Sequence, residues 1–195
     1  MKNSNFETLV KPVIVLVVIC LITSTMLAVT NNATAPIIAA QEEAAAQEAY
    51  QAVLPEADSF TDLTSEVSTE NIVAVVKANN GAGYCVKATG KGYGGAVPVV
   101  IGFDNDGNIL GVQFLQNSES AGFGMRLWDS SGDGAVFADE LVGKSGSVTL
   151  KQDGVNGLTG ATISSKAAVS AVNSAFACID ELKAKVADAI SEEVL

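Results

Sequence analysis

Apolar and polar positions divide the chain into three regimes. Val13 to Val29 is almost wholly apolar, interrupted only by Thr23, Ser24 and Thr25. Its length lies at the short end of the roughly 17–25 residues a spanning helix needs. Ala39 to Leu54 follows, rich in Ala, Gln and Glu, all good helix formers, until Pro55 stops it. This stretch predicts a stalk helix docking on a domain. Asp58 to Asn71 is polar and turn-prone and predicts a connecting loop. From Ile72 the pattern becomes strand-like. Ile72–Ala78 and Tyr84–Thr89 predict a hairpin around Asn79-Asn80-Gly81-Ala82-Gly83. Val97–Phe103 and Ile109–Leu115 predict a second hairpin, closed by Asp104-Asn105-Asp106-Gly107-Asn108. That turn resembles the start of a calcium loop but lacks the later acidic ligands, so it reads as a plain turn.

A short helix is predicted around Ala135–Val142 and a last strand at Ser147–Leu150. From Ile163 onward, Val169, Val172, Phe176, Ile179, Leu182, Val186 and Ile190 recur every three or four residues. That is one apolar stripe on a long helix. The polar tail Ser191-Glu192-Glu193 is expected to fray. The fold class is α+β: an N-terminal transmembrane helix and stalk helix, then an antiparallel-sheet domain with a long C-terminal helix packed on it.

Charge orients the span. Lys2 and Lys11 precede the apolar run, and no Lys or Arg follows until Lys77. This asymmetry places the N-terminus in the cytoplasm and the bulk of the chain outside, in a cell membrane crossed once. A cleaved signal peptide competes, with Ala33-Thr34-Ala35 as a small-residue site. The run is longer than a common signal core and the site lies several residues beyond it, so a retained anchor is the reading taken. Ile19 before Cys20 excludes a lipoprotein site.

Composition narrows the chemistry. The 195 residues are 48% hydrophobic, with formal net charge −11 and a single arginine, Arg126. No basic patch can meet a phosphate backbone, so nucleic acid is not a partner. The absence of histidine removes Ser/His/Asp catalysis, His-ligated haem and His-containing zinc sites. Cys20, Cys85 and Cys178 are far apart with no C-x-x-C, which argues against an iron–sulfur site. Cys85 and Cys178 lie in apolar patterns and read as buried small hydrophobes; a disulfide between them has no support in the sequence. No catalytic or metal-ligating set emerges.

One stretch stands apart. Thr159-Gly160-Ala161-Thr162 is a tight turn running into the last helix. Thr159 and Thr162 place hydroxyls where the first helical N–H groups lack partners. Bare amides and the positive end of the helix dipole favour an anion such as phosphate. An ordinary capped helix start has the same local pattern.

The wider context adds more. Asn156-Gly157-Leu158-Thr159-Gly160-Ala161-Thr162 resembles the flavinylation motif of the FMN-binding domain family, with Asn156 where the family opens on Asp. Glu119-Ser120-Ala121-Gly122-Phe123-Gly124 resembles that family's Glu-Thr-Pro-Gly-Leu-Gly loop, and Tyr93-Gly94-Gly95 before a strand also fits. The resemblance covers roughly Ile72 to Ala177. It implies FMN covalently attached through its phosphate to the Thr162 hydroxyl by a flavin transferase. It also implies that Thr159, Gly160 and Ala161 hold the phosphate, with Lys166 a weaker phosphate partner. Glu119, Ser120, Gly122 and Phe123 would line the ring side, with Tyr93 approaching.

With one N-terminal span, the chain is similar to the RnfG family, the G-subunits of Rnf ion-translocating electron-transport complexes. That family is related to the C-subunit of the Na⁺-translocating NADH:quinone reductase. The implied arrangement is a cytoplasmic N-terminus at 1–12, a transmembrane helix at 13–30, stalk and linker at 31–71, and an extracytoplasmic FMN-binding domain at 72–195. The implied partners are other membrane subunits, the transferase and the lipid bilayer. The implied function is an electron-carrying subunit, a flavoprotein of a translocase, with no complete catalysis alone. Two other classes stand beside it: a membrane-tethered FMN protein in electron transfer or regulation outside a pump, and a cofactor-free extracytoplasmic binding module.

Overall fold

The computed structural model describes the backbone of residues 10–193 and the side chains of residues 10–187. The N-terminal residues 1–9, and the side chain of Ile190, lie outside that description. The chain divides into two units, Met1–Ala44 and Ala45–Leu195. The first is helical from Lys11 onward. Helix α1, Lys11–Val53, is continuous through Pro36, so the predicted span and stalk form one helix of 43 residues, about 65 Å at the usual rise. Pro36 has no backbone N–H to give, yet the helix does not end there. Up to Ala44 its apolar side chains are exposed, among them Ile14, Leu16, Leu21 and Leu27. By length and composition it is the one helix among the described residues able to cross a membrane.

The second unit is built on a five-stranded antiparallel sheet of order β1-β2-β3-β4-β5. The strands are β1 Phe60–Asp62, β2 Ile72–Ala78, β3 Tyr84–Lys91, β4 Ala96–Phe103 and β5 Ile109–Phe114. Alternation along the strands sends side chains to two faces. Val75, Val86, Val99, Ile101 and Phe103 join the larger core, with Val169, Val172, Phe176 and Ile179 of α3, Thr162–Glu193. Phe103 meets Phe176 edge-on at 5.4 Å. The predicted α3 stripe is buried through Leu182, whereas Val186 is exposed. The helix continues to Glu193, through the tail expected to fray.

The opposite face holds Val76, Ala78, Cys85 and Val100 against Ala46, Ala49, Tyr50 and Val53, the last turns of α1. Those four fall at i, i+3, i+4 and i+7, as one helical face requires. Cys85 and Cys178 therefore belong to separate cores on opposite faces of the sheet, and both are free thiols. Burial pushes the Cys85 thiol up to about 12 and, with the Glu181 carboxylate adding to it, Cys178 to about 11.

Two expectations are corrected. The sheet begins at Phe60, inside the segment read as a loop: Phe60 pairs with Ala78 and Asp62 with Val76. Three residues are too few to show a period, but Phe60 packs on Tyr50 at 5.8 Å. The strand expected at Ser147–Leu150 does not form. The Val148 N–H donates to Asn173 Oδ1 at 2.8 Å and its carbonyl accepts from Asn173 Nδ2 at 3.0 Å. A helix side chain thus occupies the backbone groups that a neighbouring strand would have used. The short helix α2 is Asp133–Asp139, starting two residues before the predicted Ala135. In the β4–β5 turn, Asp104 accepts from the backbone and side-chain nitrogens of Asn108. Desolvation raises the Asp104 pKa, but these bonds outweigh it and hold the carboxyl below its ordinary range.

Candidate functional site

The Thr159–Thr162 turn enters α3 as expected, with Gly160 at φ +80°, a conformation that costs glycine little. Ala161 N–H donates to Leu158 O at 3.0 Å, which closes the turn. The first intrahelical bond runs from Ser165 N–H to Ala161 O at 2.9 Å. The amides of Thr162, Ile163 and Ser164 precede that bond, so they lack intrahelical acceptors.

The hydroxyls of this turn are used differently from the expectation. Among the described residues, neither the Thr159 nor the Thr162 hydroxyl caps the helix. Ser165 does the local work instead. It is fully buried; its Oγ accepts from Leu158 N–H at 2.9 Å and donates to Ala161 O at 3.0 Å. Ser164, 3% exposed, donates its hydroxyl to Glu119 Oε2. Thr162 remains exposed.

Glu119 is the buried centre of the second wall. It is 3% exposed and accepts from Ser164 on one oxygen and from Gly94 N–H at 2.7 Å on the other. One carboxylate thereby ties the β3–β4 connection, the 117–124 loop and the start of α3 together. Its own N–H donates to Asn117 Oδ1 at 3.1 Å, an Asx turn that sets the loop's direction. Gly124 lies so close that a β-carbon there would overlap Ser164 Oγ. The predicted loop residue Glu119 is therefore a fastener as well as a lining group.

These walls enclose a cavity of about 400 Å³ lined by Tyr93, Glu119, Ser120, Phe123, Gly124, Gly160, Ala161, Thr162, Ile163 and Ser164. That size falls within the usual range for small-molecule sites, roughly 300–1,000 Å³. Tyr93, Phe123 and Ile163 supply apolar surface and are 76%, 54% and 53% exposed, so the mouth is open and apolar. Seven predicted residues meet here: Tyr93, Glu119, Ser120, Phe123, Gly160, Ala161 and Thr162. Gly122 lies in a separate hollow with Met125, Arg126, Trp128 and Asp129. Asp129 has its carboxyl held below the ordinary range by hydrogen bonds from Ser131. Thr159 enters through its carbonyl, which accepts from Arg126 Nη2 at 2.7 Å. Lys166 is not brought to the cavity; it lines a separate groove with Thr69, Glu70 and Asn71.

Sequence reasoning missed Ser164 and Ser165 as fasteners and gave Arg126 no role. It also left the Asn at the motif's first position unexplained. Asn156 donates its backbone N–H to Glu140 Oε2 at 2.6 Å and its side-chain Nδ2 to Glu140 Oε1 at 2.8 Å. An aspartate could not supply the second donor, and it would set a carboxylate against Glu140.

The arrangement suits a flat aromatic group that carries a phosphate. The open, apolar mouth takes a ring, unpaired amides at a helix N-terminus take an anion, and a hydroxyl stands beside both. Comparison with known proteins agrees with that chemistry. Residues 92–177, which hold β4, β5, the residues lining the cavity and the turn into α3, match the FMN-binding domain. Residues 1–53 match the RnfG N-terminal region. The chain is 31% identical over 188 residues to the G-subunit of the Na⁺-translocating ferredoxin:NAD⁺ oxidoreductase complex of Acetobacterium woodii, covering 87% of this chain and 90% of that one. It is 27% identical over 165 residues to the G-subunit of the proton-translocating counterpart in Clostridium ljungdahlii, covering 82% and 85%. It is 29% identical over 180 residues to the G-subunit of the ion-translocating oxidoreductase complex of Methanosarcina acetivorans, covering 88% and 95%. The chain belongs to the RnfG family, the G-subunits of ion-translocating oxidoreductase (Rnf) complexes.

Proposed function

We propose that this chain is a membrane-anchored flavoprotein subunit that relays electrons within an ion-translocating ferredoxin:NAD⁺ oxidoreductase complex. Its FMN is held as a phosphoester on Thr162. The observation that carries this reading is the Thr162 hydroxyl: exposed, uncommitted to any cap, and beside open helix amides in an apolar cavity. Family membership supports the electron-transfer setting.

When bound, FMN supplies the redox chemistry. The chain's residues bind and orient it. Thr162 Oγ1 would bond to the phosphorus as the phosphorus–oxygen bond to the leaving group of the transferase's flavin donor breaks; the hydroxyl proton goes with that leaving group, so the net addition is one FMN less one water. The amides of Thr162–Ser164, at the positive end of α3, neutralise phosphate charge. Tyr93, Phe123 and Ile163 offer apolar surface to the ring, and Glu119 fixes the wall behind it. A covalent link keeps the carrier loaded in a compartment without free flavin. A flavin transferase would make that link, and other membrane subunits would exchange the electrons.

The anchor reading rests on the exposed apolar side chains of α1 and on the lysine asymmetry around them. It places the N-terminus in the cytoplasm, the span at 13–30 and the FMN domain outside. Protease added to intact spheroplasts should then digest the domain; protection there would reverse the orientation.

The decisive experiment isolates the protein from its native membrane. In-gel flavin fluorescence that survives denaturation, with membrane subunits copurifying, is the expected result. Fluorescence without those subunits would favour a tethered flavoprotein outside a pump. No fluorescence and no added mass would leave a cofactor-free binding module.

A further inference from the structure

The geometry points to Arg126 as the positioning residue that joins the ring wall of the flavin site to its attachment turn; this rests on the flavin reading above. Arg126 is the sole arginine in the chain. Its guanidinium meets three acceptors, one in its own turn and two in other segments. Nε donates to Phe123 O at 3.4 Å, Nη2 donates to Thr159 O at 2.7 Å, and Nη1 pairs with Asp133 of α2 at 2.7 Å. Phe123 is a cavity wall, and Thr159 immediately precedes Gly160, whose backbone the Phe123 ring approaches. Thr159 lies 33 residues beyond Arg126, so this contact is tertiary.

The planar fork explains the choice of residue. Arginine presents five donors in fixed directions on three nitrogens, whereas a lysine ammonium carries its three donors on one nitrogen and does not span the same spread of acceptors. Asp133 aims the fork by holding one end of it. The site thus has two fasteners. Glu119 with Ser164 closes its buried side, and Arg126 with Thr159 closes its outer side, where the arginine side chain is 33% exposed. Without Arg126 the ring wall and the attachment turn would be tied only on their buried side, through Glu119 and Ser164, and a flavin fixed at Thr162 would lose order in its outer wall.

The test uses the full chain in detergent, produced with its flavin transferase, as wild type, Arg126→Gln, Arg126→Lys and Asp133→Asn. A parallel set carries Thr162→Val to remove the flavin. Hydrogen exchange in the flavin-free set reads the fastener. The Phe123 and Ala161 amides, bonded to Ser120 O and Leu158 O, report the two loops. In Arg126→Gln both should exchange roughly threefold to tenfold faster, as expected for losing partly exposed charge-assisted bonds. Amides of the central strands should not change. Arg126→Lys should restore one loop only, and Asp133→Asn should give a smaller rise in both. In the loaded set, iodide quenching of flavin fluorescence should rise severalfold in Arg126→Gln, and the loaded fraction should fall.

Unchanged exchange at either loop overturns the fastener. Faster exchange with unchanged quenching and loading overturns its role toward the flavin. A wild type without flavin overturns the reading beneath the proposal and this role with it, whereas a loaded wild type beside an unaltered variant overturns the role alone.

Discussion

Thr162 and the Ser164–Ser165 pair open the same helix within a single turn, yet their hydroxyls have opposite fates. Ser164 and Ser165 point inward, are 3% and 0% exposed, and spend their hydroxyls on Glu119, Leu158 and Ala161. Thr162 points into an open cavity with its hydroxyl uncommitted. Three residues of equal intrinsic chemistry are thus divided by burial and partners into structure and candidate acceptor. A hydroxyl that must become an ester has to be reachable and free of structural duty. The two serines meet neither condition, and their burial is what holds Thr162 in place.

That contrast implies an order of effects on stability. Glu119→Ala should be the most damaging, because it leaves Ser164 Oγ and Gly94 N–H without their shared acceptor. A loss of about 2–3 kcal/mol is expected, read as a lower urea midpoint at unchanged slope. Paired with Ser164→Ala in a double-mutant cycle, it should show coupling of roughly 0.5–3 kcal/mol, as contacting groups do. Additivity there would break the contrast at its buried side.

Ser165→Ala comes next. It strands the Leu158 N–H beneath the turn and should cost about 1–2 kcal/mol by the same urea measurement. It should also reduce flavin loading without abolishing it, since the acceptor hydroxyl survives while its turn loosens. Complete loss of loading in a folded Ser165→Ala protein would shift the acceptor inward. The smallest change is expected for Thr159→Val. Thr159 serves through its carbonyl, which the substitution keeps, so stability should move by less than about 0.5 kcal/mol and covalent flavin should remain.

The elements with a long period were legible in the residues. The α3 stripe, the β2–β5 hairpins and the apolar run of α1 each carry enough repeats to define an element. The Thr159–Thr162 turn was legible because glycine and threonine punctuate a helix start. What escaped were polar contacts between distant positions. Glu119 and Ser164 lie 45 residues apart and Arg126 and Thr159 lie 33 apart, and no local pattern pairs them. Ser164 and Ser165 look like ordinary first-turn residues until the fold buries them. Ser147–Leu150 had a strand's composition, but Asn173 satisfied its backbone from a helix. Lys166 sits only four residues after Thr162, yet it lines another groove.

The central claim is that Thr162 alone accepts FMN, and one measurement addresses it directly. Wild type and Thr162→Val are each coexpressed with a flavin transferase, and intact mass with peptide mapping is taken on both. Valine keeps the β-branched shape and removes an exposed hydroxyl that caps nothing, so the variant should fold with stability within about 0.5 kcal/mol of wild type. Wild type should gain the mass of one FMN less one water, mapped to Thr162, and the variant should gain none. Flavin mapped to Thr159, Ser164 or Ser165 in the variant, or a folded wild type from its native membrane without any addition, would contradict the account.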